Sequence, residues 1–167
     1  MTFQELMKET GELLGLEDFA PDEEGFCTLE SEDGAIDIGF VPEAHGLVLL
    51  HAIVMKVPEE KSGAALRRAL EINCGLRKTG QATLSVNPET GCIELARFFA
   101  LELLDPEGLV SLAGAFAATL LEMRGLLKEY GGEEPGLPEE GKDDAPADAT
   151  STSDGLLNMG RPGFWRV

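Results

Sequence analysis

Ala82-Thr83-Leu84-Ser85-Val86, then Asn87-Pro88-Glu89-Thr90-Gly91, then Cys92-Ile93-Glu94-Leu95-Ala96-Arg97-Phe98-Phe99 is the stretch that decides the fold. Two apolar runs flank a polar turn. Its proline fits the position where type I geometry fixes φ, and its glycine stands where the chain must re-enter a strand. The stretch predicts a β-hairpin, and hence an antiparallel pair to which the rest of the chain must be fitted.

The periodicity changes on both sides of this hairpin. Upstream, residues 60–77 read as a helix with Ala65, Ala69, Ile72 and Leu76 on one stripe and Leu66, Leu70 and Asn73 on the next. That arc is wider than one sheet contact needs, and it suits a helix packed both on its own sheet and on a second copy. Gly80 marks its exit. Downstream, Asp105-Pro106 supplies an N-cap and a first-turn proline, and Leu109, Leu112, Ala113, Phe116, Leu120, Met123 and Leu127 form the stripe of a last helix that stops at Gly131.

Nearer the N-terminus, Phe26 to Glu30 reads as a short strand and Asp33-Gly34 as a hairpin signal, while Ile36, Ile38 and Phe40 alternate on one face. Residues 47–57 are almost continuously apolar, as expected of a strand covered on both faces, and Pro58 ends the run. Thr2-Phe3-Gln4-Glu5 fits a capping box that starts a first helix bearing Phe3, Leu6, Met7, Thr10 and Leu14, with Gly15 as C-cap. An acidic loop, residues 17–24, follows it. The predicted order is α-β-β-β-α-β-β-α, a largely antiparallel sheet with helices packed against it, of the α+β class.

The 167 residues hold 31 acids against 13 Lys and Arg, a formal net charge of −18. Such acidity argues against nucleic acid and anionic membrane surfaces as partners. It leaves basic or apolar partners open. Composition shifts after Tyr130: residues 131–167 are rich in Pro, Gly and acids and hold 8 acids against Lys142, Arg161 and Arg166, so −5 belongs to this tail and −13 to residues 1–130. The two parts read as a folded domain, 1–130, and a flexible acidic tail, 131–167. The tail ends differently, with Leu156, Leu157, Met159, Phe164 and Trp165 beside Arg161 and Arg166. That end reads either as a loose terminus or as a docking segment on a tether, with Phe164 and Trp165 as its anchors.

Cys27, Cys74 and Cys92 are odd in number and far apart, and they read as reduced, buried thiols. With no basic-then-apolar leader at the N-terminus, the expected location is cytoplasmic. No residue spacing supports catalysis or a cofactor. His45 and His51 are the only histidines, and no nucleophile elbow, paired-Cys or H-E-x-x-H spacing is present. His51 lies inside an apolar run and is expected in the core, whereas His45 is expected on an exposed loop. Asp22-Glu23-Glu24 reads as a solvated turn, and residues 75–80 lack the order of a phosphate-binding loop.

Residues 66–99 carry a family likeness. Leu70-Glu71-Ile72-Asn73 at a helix end, Gly80, the strand 82–86, the turn Asn87-Pro88-Glu89-Thr90-Gly91 and Ile93-Glu94-Leu95 together resemble the type III secretion chaperones of the Tir chaperone (CesT) family. An aromatic midway along the last helix, Phe116, also fits, and the likeness covers about residues 1–130. The tail is not a standard part of that fold.

The resemblance implies a homodimer that binds the N-terminal segment of a secreted effector, keeps it soluble and export-competent, and passes it to the secretion machinery. It places Leu66, Leu70 and Asn73 in the dimer contact and Phe3, Leu6, Phe26, Ile36 and Ile38 among the effector contacts. The alternative is a regulatory adaptor of the same fold, YbjN-like or regulator-sequestering, with no secretion client. A non-enzymatic role is expected in either case.

Overall fold

The computed structural model describes residues 1–130 and the two-residue strand Trp165–Arg166. The expected tail, and with it Phe164, otherwise lies outside the described residues. At the N-terminus the capping box closes: the Glu5 N–H donates to the Thr2 hydroxyl at 3.2 Å, and the Glu5 carboxylate accepts from the Thr2 N–H at 2.7 Å. The hydrogen bonds from Thr2 hold Glu5 below its ordinary carboxylate range. Helix α1, Phe3–Leu14, ends in the left-handed Gly15. Gly11 lets the helix rest on the following loop, because a Cβ there would stand 2.6 Å from that of Phe19. Phe19 is buried and meets the Phe40 ring edge-on, with centroids 6.1 Å apart.

Five strands form the body of the sheet: β1 (Cys27–Ser31), β2 (Asp37–Glu43), β3 (Leu47–Lys56), β4 (Thr83–Val86) and β5 (Cys92–Ala100). A sixth, β6, is Trp165–Arg166. The spatial order is β4-β5-β3-β2-β1-β6, antiparallel throughout. The hairpin expected over residues 82–99 forms from β4 and β5. The Asn87 side chain accepts from the Glu89 N–H at 3.0 Å, and Gly91 takes φ 69° to re-enter β5.

Helices α1, α2 (Ser62–Asn73) and α3 (Pro106–Leu127) cover one face. Leu6, Met7 and Leu14 of α1 share a single core with Ile38, Phe40, Val48, Leu50, Ala52, Ile93 and Leu95 of the sheet and Leu109, Phe116, Leu120 and Met123 of α3. On length and composition alone, residues 106–130 could cross a membrane. Here the buried stripe of α3 supplies the centre of that core, which accounts for its apolarity. Arg124 fastens the helix to the sheet by donating to the carbonyls of Ala35 and, at 2.8 Å, Ile53.

Two readings of the sequence are corrected. Strand β3 is covered on one face only: Val48, Leu50, Ala52 and Val54 are buried, whereas Leu47, Leu49, His51 and Ile53 are half-buried. The second helix stops at Asn73, four residues early, because Gly75 and Leu76 adopt φ of 74° and 53° and break the helical path. Cys74 is consequently exposed, while Cys27 and Cys92 are buried.

Candidate functional site

The face that the helices leave bare is built from alternate residues of four strands, and register fixes what stands beside what. Val41, Leu49 and Phe98 form one rung; Gly39, His51, Ala96 and Thr83 the next; Ile53, Glu94 and Ser85 a third. The middle rung is low, since Gly39 and Ala96 flank the imidazole, and a Cβ on Gly39 would fall 2.2 Å from His51 Nε2. Small residues beside tall ones make a groove of about 740 Å³, walled by Leu49, Phe98, Thr83, Ser85 and Gln81. A smaller cleft of about 130 Å³ runs past His51 to Phe26 and Asp37.

Polar groups pin the rim. Arg97 lies 4.6 Å from the centre of the Phe99 ring and donates to the Gly80 carbonyl at 2.7 Å and to Gln81 Oε1 at 3.2 Å. It thereby holds the loop in which Gly80 and Gln81 both take positive φ. Asn87 holds the Glu94 carboxylate at 2.9 Å. Partial desolvation of its carboxyl, although the residue itself is exposed, and then the like charge of Glu30 opposite it, push Asp37 above its ordinary range, against the opposing pull of His51 and Arg124. The Asp22 carboxylate is occupied by the N–H groups of Glu24 and Phe26, both at 2.9 Å, as a turn requires. Among the described residues no group of His, Cys, Asp and Glu is placed to hold a metal ion. What the surface can do is shield apolar side chains and offer hydrogen bonds.

His51, expected in the core, therefore belongs to this open face. His45 is exposed, as read. Of the expected effector contacts, Phe26 is 40% exposed and Phe3 is half-buried at the core margin. Leu6, Ile36 and Ile38 are at most 3% exposed, so they meet other core side chains and present nothing to a partner. Of the residues expected in a dimer contact, Leu70 is 70% exposed and Leu66 half-buried. Asn73 also closes a sheet edge, for its amide donates to the Leu84 carbonyl and accepts from the Leu84 N–H, each at 2.9 Å. The side chain thus stands where a neighbouring strand would, on the outer edge of β4. Sequence reading missed the part played by Gly39, although an isolated glycine inside an alternating strand signals close approach by another group.

An antiparallel sheet covered by helices on one face, with an apolar groove on the other, defines an α+β module with an open, largely apolar face. The family follows from the Tir chaperone protein (CesT) family model, which matches residues 5–124. The chain belongs to that family, the type III secretion chaperones that its sequence resembles.

Solved structures agree on the fold. The chain is similar to one in the ExsC–ExsE complex (20% identity, TM-score 0.57, covering 77% of this chain and 96% of that one). It is also similar to one in the HopA1–SchA chaperone–effector complex (17%, 0.57, 76% and 93%). A third likeness is to a chain in the complex of the Yersinia pestis type III secretion chaperone SycH with a stable fragment of YscM2 (15%, 0.56, 73% and 99%). No curated protein sequence matches the chain.

Proposed function

We propose that this protein is a cytoplasmic, non-enzymatic type III secretion chaperone that acts as a homodimer. It holds the N-terminal segment of a secreted effector extended and soluble until the segment is handed to the secretion machinery. The observation that carries the reading is family membership across residues 5–124, joined to a bare sheet face of the right chemistry. An extended client segment laid along Val41, Leu49 and Phe98 would remove apolar surface from water on both sides, at roughly 25 cal/mol per Å². The excess negative charge keeps such a complex from associating further.

Helix α2 is the proposed dimer contact. Its inner stripe of Ala65, Ala69 and Ile72 is satisfied by the protomer's own core, while Leu66 and Leu70 are left for a partner. Asn73 lies at the margin of that contact. Phe3 and Phe26 remain as proposed client contacts.

The test is co-expression with a candidate effector followed by limited proteolysis. An effector N-terminal segment that is protected by this chaperone, and cut when Phe98→Asp is used instead, supports the reading. Equal cleavage with and without the chaperone rejects it, and protection confined to a folded partner domain favours the adaptor alternative. Sedimentation equilibrium at tens of micromolar tests the dimer: Leu70→Asp should yield monomers by burying an unpaired charge.

A further inference from the structure

A sheet has two edges, and those of this one are treated differently. On β4 the outward N–H and C=O of Leu84 are taken by Asn73. On β1 the outer edge is met by β6, with Arg166 in register opposite Glu30 and Trp165 opposite Ser31. The Ser31 N–H turns inward to the Ile36 carbonyl at 2.8 Å, so by strand alternation the Glu30 N–H points outward, toward β6. Ser31 is itself immobilised: its hydroxyl donates to Asp33 at 2.6 Å and accepts from the Ile36 N–H at 2.9 Å. The edge is therefore a preformed template for an added strand.

We propose that the outer edge of β1 is a strand-accepting site and that the segment ending in Trp165–Arg166 is its built-in ligand, one that any other strand must displace. Charge supports this occupant. Residues 1–55, which include β1 and β2, hold 13 acids against Lys8, whereas residues 155–167 hold Arg161 and Arg166 and no acid. Reach does not limit docking, because 34 residues separate Tyr130 from Trp165 and an extended chain covers about 3.3 Å per residue. Tethering makes docking intramolecular, so a free strand of equal intrinsic affinity competes at a disadvantage set by the effective concentration of the tail. The segment also indicates the chemistry the edge prefers: an extended stretch with an aromatic residue beside a basic one. Its use as a gate on client entry rests on the chaperone reading above; the docking itself does not.

The test compares the full-length protein with full-length Arg166→Pro, which removes the N–H that faces Glu30, using amide hydrogen exchange and a fluorescent peptide of residues 160–167. In the unaltered protein the Glu30 amide should be protected. In Arg166→Pro it should exchange about tenfold faster or more, as a lost ladder bond implies, while the inward-facing Leu29 amide is unchanged. The peptide should bind Arg166→Pro about tenfold more tightly than the unaltered protein, whose edge is already filled. Glu30→Lys, introduced into the Arg166→Pro protein, should weaken the peptide by about 2- to 5-fold through like charge across the ladder. Equal Glu30 exchange in the two proteins, or equal peptide affinity, overturns the proposal. A tail that protects Glu30 in a protein that shields no effector segment leaves the docking intact and removes the chaperone function.

Discussion

The two edges of the sheet solve one problem in opposite ways. Unpaired strand groups invite other chains, and proteins blunt such edges or put them to use. At β4 the solution is permanent: one asparagine on α2 mimics a neighbouring strand, and the strand is only four residues long. At β1 the solution is exchangeable, with two residues brought from far along the sequence. Closing one edge with a side chain and the other with a segment leaves a single direction in which the sheet can grow.

The thiols should give the widest contrast between the two regions. Cys27 opens β1 and burial pushes it up to about 12, whereas Cys74 lies exposed just after α2. In the native protein a thiol reagent should modify Cys74 on the order of 100-fold faster than Cys27, because only a thiolate attacks and only an exposed one is reached. Comparable rates would show that the β1 side opens as freely as the end of α2. Next in size, Asn73→Leu should cost about 2–3 kcal/mol in urea unfolding, since it strands both polar groups of Leu84 at a part-buried edge. A loss below about 0.5 kcal/mol would mean that the β4 edge is not held by this residue.

Ser31→Ala touches the other edge. It removes an acceptor from the Ile36 N–H and should cost about 1–2 kcal/mol while raising exchange at Glu30. Unchanged exchange there would separate the hydroxyl from the docking geometry.

The smallest expected effect is a pH dependence at Asp37. Because its folded pKa is raised, the folded protein binds the proton more readily than the unfolded chain. The burden of the charged form is therefore fully felt at neutral pH, and it is relieved as pH falls through the raised value toward the ordinary carboxylate range. Asp37→Asn should be slightly more stable than the parent near pH 7, with the difference vanishing on acidification. A difference that grows on acidification would reverse the assigned cause.

Local chemistry made much of the fold legible. The Thr2–Glu5 box, the Asn87–Gly91 turn and the Asp105-Pro106 helix start each depend on groups within a few residues of one another, and each forms as read. The site is harder to read because it depends on absence and on distance. An apolar strand looks the same whether one face or two are covered, so periodicity alone puts β3 and His51 inside. The Asn73–Leu84 pair spans 11 residues and follows no periodicity. Leu6, Ile36 and Ile38 share the residue types of a binding surface, and only packing assigns them to the core. A strand of two residues after a Pro/Gly-rich stretch carries no pattern at all.

Arg124 gives the molecule a schedule. Its guanidinium closes on carbonyls 89 and 71 positions earlier, so the turn after β1 and the middle of β3 cannot be locked until most of α3 has been synthesised. Residues 165–166 leave the ribosome later still. Strands β1 and β2 can therefore pair before the residues that meet the outer edge of β1 are available.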